Sequence, residues 1–180
     1  MGVLADGGFY NAILGEARLV ARRARTAAVD NATTRLRVRS GRLRSSIASA
    51  VDAKPGSIAI VLSAGGTAGG EPVKYAALQE FGDTITPKRG KYLAIPIGPT
   101  KTKAGVSHRP GPRDYGDQLR FRPISGDRGL LVGRADGEAY FVLVRSVTIP
   151  PTYYLRDAFV EAARHASVRL LSVGVEALEV

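Results

Sequence analysis

Side chains able to carry chemistry are sparse in this sequence, and their spacing limits what they can do. Cysteine is absent, which excludes disulfides and thiolate-held zinc or iron–sulfur centres. His108 and His165 lie far apart, neither with a second ligand at metal-binding spacing, so each reads as a surface or helix-face residue. The run from Gly65 to Gly70 has neither the Gly-Lys-Ser/Thr ending of a phosphate loop nor dinucleotide-loop spacing, and a plain loop is expected. Nucleophilic catalysis needs a base beside a Ser or Thr, and neither histidine stands in such a context. The carboxylate pairs Asp114 with Asp117 and Glu80 with Asp83 fall in a Pro/Gly-rich stretch and at a turn. The expectation is a protein without catalysis, cofactor or metal.

Charge is the more informative property. The chain carries +10 over 180 residues. Residues 1–45 hold nine Arg against three acids, and residues 86–122 hold nine Lys or Arg against two Asp. Arg18, Arg22 and Arg25 recur at helical spacing, a stripe suited to sequence-independent phosphate contact or to a solvated helix face. No aromatic platform accompanies it, so direct base readout is not expected. Arg42, Arg44, Lys88, Arg89, Lys101 and Lys103 extend the basic set, and Glu80 with Asp83 forms an acidic turn. Basic and acidic patches on one subunit suit head-to-tail contacts between copies.

The elements that must position these charges follow from periodicity. From Phe9 to about Val38, Ile13, Ala17, Val20, Ala24 and Ala27 recur as one helical face. A short helix after Ser40-Gly41 places Leu43 and Ile47 four residues apart. Ser57 to Ser63 alternates Ile58, Ile60 and Leu62, a strand pattern. Val73 to Phe81 reads as a helical turn closed by Gly82, with Tyr75, Leu78 and Phe81 expected to anchor it in the core. Strands are predicted at Tyr92–Ile97, Leu119–Ile124, Leu130–Val132 and Tyr140–Val147. The polar stretch from Gly98 to Asp117, without apolar period, is expected to be mobile in the free subunit. Pro150-Pro151-Thr152 suits a helix start, and Leu155, Phe159 and Ala162 are predicted to pack the final helix.

The predicted fold is α+β: a long N-terminal helix and a C-terminal helix packed on a mainly antiparallel β-sheet, with an extra β-rich insertion. One domain, 1–180, is expected, carrying the insertion at 84–149 with a mobile loop at 98–117. No apolar stretch approaches the roughly 20 residues that span a bilayer, so no membrane partner is expected. The N-terminus, Met1-Gly-Val-Leu-Ala-Asp6, lacks the pattern of a secretory signal, which points to the cytoplasm.

Three segments resemble a known family. Ser40-Gly-Arg-Leu-Arg-Ser-Ser-Ile47, Val73-Lys-Tyr-Ala-Ala-Leu-Gln-Glu-Phe-Gly82 and Val147-Thr-Ile-Pro-Pro-Thr-Tyr-Tyr-Leu-Arg-Asp-Ala-Phe159 are similar, in order and spacing, to the neck or tail-completion proteins of long-tailed bacteriophages, the virion-morphogenesis group of lambda Z and Mu G. Ser40 stands where Thr is usual, Thr152 where Arg is common and Tyr154 where Phe is common. The segments Thr86–Pro96 and Phe141–Val147 look like the larger members, which carry extra β-structure. The resemblance implies a structural virion protein: copies of itself in a ring, a hexamer by analogy, at the head–tail junction. It further implies head-closure or connector proteins and tail-terminator or tail-tube proteins as neighbours, phage DNA passing through the lumen, and assembly in the host cytoplasm. Two other classes compete with it: a sequence-nonspecific DNA-binding protein using the basic N-terminal helix, and a small hydrolase.

Overall fold

A computed structural model describes residues 7–37, 40–67, 71–102, 107–109, 111–124 and 126–178, with side chains of the last helix described as far as Ala166. The chain divides into two compact units, Met1–Gly82 with Pro150–Val180, and Asp83–Ile149. The protein is α+β, and every paired strand is antiparallel.

The first unit starts with α1 (Gly8–Thr34), whose interior holds only good or tolerated helix formers apart from Gly15. It buries Ala17, Val20, Ala21, Ala24, Ala28 and Ala32, a face rich in the smallest side chain. Alanine lets another helix approach closely, and α4 (Tyr154–Leu178) does so with its own Ala158 and Ala162. Between them lie α2 (Arg42–Ser45), β1 (Ala48–Lys54), β2 (Ser57–Ser63) and α3 (Ala76–Phe81). β1 and β2 form a hairpin turned by Pro55-Gly56, where Gly56 takes φ +77°. Ile60 and Leu62 of β2 lean on Val20, Ala24 and Ala162, so the helix pair covers the hairpin. Leu43 and Ile47 are buried as the i, i+4 spacing requires.

Burial on α4 includes the expected face and is centred slightly to one side of it, on Tyr154 and Ala158. Among its described side chains Tyr154, Ala158 and Ala162 are buried, while Leu155 and Phe159 are half-buried. Tyr154 supplies the deepest side chain, and Leu155 and Phe159 pack against the two core clusters from its flank. α3 departs from expectation: Val73 and Ala76 are its buried apolar residues, Leu78 is half-buried, and Tyr75 and Phe81 are exposed.

The second unit opens and closes with β3 (Asp83–Ile85) paired to β8 (Val147–Ile149), so its two ends lie side by side. Inside is a four-stranded sheet of order β4-β7-β6-β5, built from β4 (Leu93–Pro96), β5 (Leu119–Pro123), β6 (Gly129–Gly133) and β7 (Ala139–Val144). The predicted strand Tyr140–Val147 is broken at Arg145-Ser146, and its end becomes β8.

The stretch expected to be mobile is anchored at both ends. A 3-10 turn at Gly98–Thr100 buries Thr100, whose hydroxyl donates to Ile97 O at 2.7 Å and Tyr140 O at 3.1 Å. Another over Pro112–Gln118 buries Tyr115, which meets Tyr140 and Phe141 edge-on at centroid distances of 5.4 and 5.7 Å. One aromatic side chain here replaces the apolar period that the sequence lacks. Residues 103–106 and 110 lie outside the described residues.

Candidate functional site

The three motif-like segments meet in one place. Leu43 and Ile47 from the first, Val73 and Ala76 from the second, and Tyr154 and Ala158 from the third share a core cluster with Ala28 and Ala32 of α1. At its edge α3 meets the start of α4. Glu80, only 2% exposed, accepts hydrogen bonds from Leu155 N at 2.8 Å and Arg156 N at 2.9 Å. A helix N-terminus has backbone N–H groups without intrahelical partners and the positive end of its dipole, and a carboxylate satisfies both needs. The cap therefore comes from a residue 75 positions upstream.

The neighbouring backbone reinforces this clasp. Thr152 N donates to Gln79 O at 3.0 Å and Tyr153 N to Glu80 O at 3.1 Å, while Thr152 Oγ1 donates to Gln79 O at 2.6 Å. Tyr153 has φ +50°, a left-handed conformation unusual for a bulky residue, and Arg156 lies 3.5 Å above its ring. From α1, Asn31 Nδ2 donates to Tyr154 O at 3.2 Å. Arg35 Nη1 reaches Thr152 O at 2.9 Å and Asp157 Oδ2 at 2.6 Å. The Arg35 hydrogen bond holds the Asp157 carboxyl below its ordinary range. Burial, and secondarily the charge of Glu80, pushes the Tyr154 phenol up to about 12. Its hydroxyl thus keeps its proton and donates to Ala76 O at 3.3 Å.

Glu80 is consequently no surface contact residue, which corrects its expected role toward a neighbouring subunit. Phe81, the next residue, is 68% exposed because Glu80 points inward and Gly82 turns the chain with φ +69°. A shallow, mainly apolar groove of about 350 Å³ beside it is lined by Leu62, Phe81, Leu155, Phe159 and Val160, together with Glu80 and Arg156.

The basic candidates separate by how they are held. Arg18 and Arg22 are exposed on α1 with no hydrogen bond or ion pair among the described residues. Arg25, third in the stripe, donates through Nε to Ile47 O at 3.0 Å. Arg42 donates to Glu71 O at 2.6 Å, whereas Arg44 makes no such bond. In the second unit Lys88 and Arg89 are exposed between β3 and β4, Lys101 is half-exposed at a bridge to Ser107, and Asp83 Oδ1 accepts from Thr84 N at 2.7 Å. Lys103 lies outside the described residues, as do residues 68–70 of the glycine-rich run.

Sequence reasoning missed Asn31, Arg35 and Tyr154 as members of the clasp, since no local pattern links them to Gln79 and Glu80. The Pro-Pro-Thr helix entry was the one signal available. Among the described residues no group of His, Asp or Glu is arranged to hold a metal, and no helix is long and apolar enough to cross a membrane. His165 sits on the surface 3.1 Å from Glu161. Comparisons with protein-family models, curated proteins and solved structures give no match to this chain.

Proposed function

We propose that this chain is a structural subunit of a ring at the head–tail junction of a long-tailed bacteriophage. In this role it joins head connector to tail, lets DNA pass through the lumen and performs no catalysis. The observation that carries this reading is the convergence of the three motif-like segments on one core cluster, with the second and third also joined by the Glu80 clasp. A shared core, and a buried glutamate that holds the entry of the last helix, give a physical reason for those segments to occur together in one chain. The same clasp presents Phe81 to solvent beside Leu155, Phe159 and Val160. An exposed aromatic on a rigid support, next to further apolar surface, is the character of an interface anchor. Its partners are further copies in a ring, a hexamer by family analogy, and the neighbouring connector and tail proteins of the virion, assembled in the host cytoplasm.

Mass photometry and negative-stain imaging of the purified protein test the reading, with closed rings as the expected result. Phe81→Asp should leave the melting temperature unchanged and abolish those rings. A second reading, sequence-nonspecific DNA binding, is favoured by the free Arg18 and Arg22. A monomer binding duplex DNA with a steep salt dependence, lost on substituting those two arginines, would establish it instead.

A further inference from the structure

From Arg25 to Arg44, the described arginines fall into two groups. Arg25, Arg35 and Arg42 are each tied to an oxygen of their own chain. Arg37 and Arg44 are exposed and make no hydrogen bond or ion pair among the described residues. These two line a single cleft of about 390 Å³. Its floor is aliphatic, from Ala32, Leu36 and Leu43, and its rim carries Tyr75 and Gln79. Among the described residues no acidic side chain lines it. Gly41, with φ +71°, lies at the rim, and a Cβ there would come 3.3 Å from Arg44 Nη2, so the guanidinium packs close over the loop.

We infer that this cleft binds an acidic segment of another protein, one that sets a carboxylate between Arg37 and Arg44 and an apolar side chain on Leu36 and Leu43. Guanidinium groups recognise carboxylates through charge-assisted, paired hydrogen bonds, and two unpaired ones around an apolar floor match an acid flanked by an apolar residue. A second copy of this chain is a poor source of that acid. The unit holding the cleft has fourteen Lys and Arg against ten Asp and Glu, and the other has twelve against six. Nucleic acid fits less well, because a phosphodiester chain has nothing to place on the aliphatic floor and the rim offers one aromatic ring only. The inference rests on the proposed assembly role and names the chemistry of a neighbour that such a role requires.

Fluorescence anisotropy on the full chain tests it with three labelled probes: the peptide Asp-Leu-Phe-Glu-Leu-Asp, its Asn/Gln counterpart, and a short single-stranded DNA. The acidic peptide should bind saturably, and its amide counterpart about tenfold or more weakly. Arg44→Glu and Arg37→Glu, both exposed and hence compatible with folding, should each weaken the acidic peptide by a similar factor. Arg120→Glu, on the other unit, should leave binding unchanged and so controls for net charge. Equal binding of acidic and amide peptides, no saturable binding at millimolar peptide, or an unchanged affinity in Arg44→Glu overturns the inference. Tighter Arg44-dependent binding of the DNA also overturns it, and assigns the cleft to nucleic acid. Ring formation is measured on the same samples: intact rings without peptide binding count against the cleft alone, and absent rings count against the assembly role.

Discussion

The two units of this protein reach order by opposite routes. In the second, β5, β6 and β7 follow one another as an antiparallel meander, while β4 pairs with β7 and β3 with β8 where the chain leaves and returns, so two of its four pairings join neighbours in sequence. In the first, the contacts that matter join residues 75 to 123 positions apart, from α3 and α1 to the start of α4. The aromatic trio Tyr115, Tyr140 and Phe141 fills space in the second. Alanine faces in the first leave little space to fill, and hydrogen bonds to a buried carboxylate determine how its parts meet. A unit assembled from distant segments therefore depends on a few polar groups, whereas a meander spreads its dependence over many short-range pairings.

The sharpest way to break the contrast is Glu80→Ala. It leaves the N–H groups of Leu155 and Arg156 without their acceptor inside a nearly closed site, an expected loss of about 3 to 4 kcal/mol. Chemical denaturation should show that loss, while amide exchange across β5–β7 stays near wild type. Uniform loosening of both units would show that they unfold as one. Tyr115→Ala is the converse experiment, expected to cost about 2 to 3 kcal/mol through a cavity against Tyr140 and Phe141 and to raise exchange in the second unit first.

Alkaline pH provides a third, smaller effect specific to the first unit. The Tyr154 phenol is raised from 10.0 to about 12, so its contribution is present below pH 10 and is lost as pH rises through the folded value. The stability difference between pH 10 and 12 from this group should be about 2 kcal/mol, and Tyr154→Phe should remove that part of the decline. The smallest effect concerns Arg35 and Asp157, both partly exposed. Because the Asp157 carboxyl is held below 3.8, the pair supports the fold above that pH and is lost as pH falls through the lowered value. Arg35→Gln should flatten that acid limb while lowering the neutral melting temperature only slightly.

Much of this architecture was written in local pattern. The alternation of Ile58, Ile60 and Leu62 delimits β2, the alanine periodicity announces α1, and Pro150-Pro151 announces the entry to α4, since each reflects a preference acting over a few residues. β1 escaped because Ala48-Ser-Ala-Val-Asp-Ala-Lys54 holds a single β-branched residue, and only its partner strand makes it a strand. The motif Glu80-Phe81-Gly82 was visible as a motif, yet the assignment of its side chains to core and surface was reversed. A glutamate is costly to bury in general, and a phenylalanine costly to expose, so composition alone puts them the other way round. The free N–H groups at the start of a helix 75 residues downstream invert that preference, and such a partner exists only once the chain has folded. The sequence determined which elements form and where the charge lies; tertiary structure decided that Glu80 faces inward, that Phe81 faces outward, and which arginines remain free to bind.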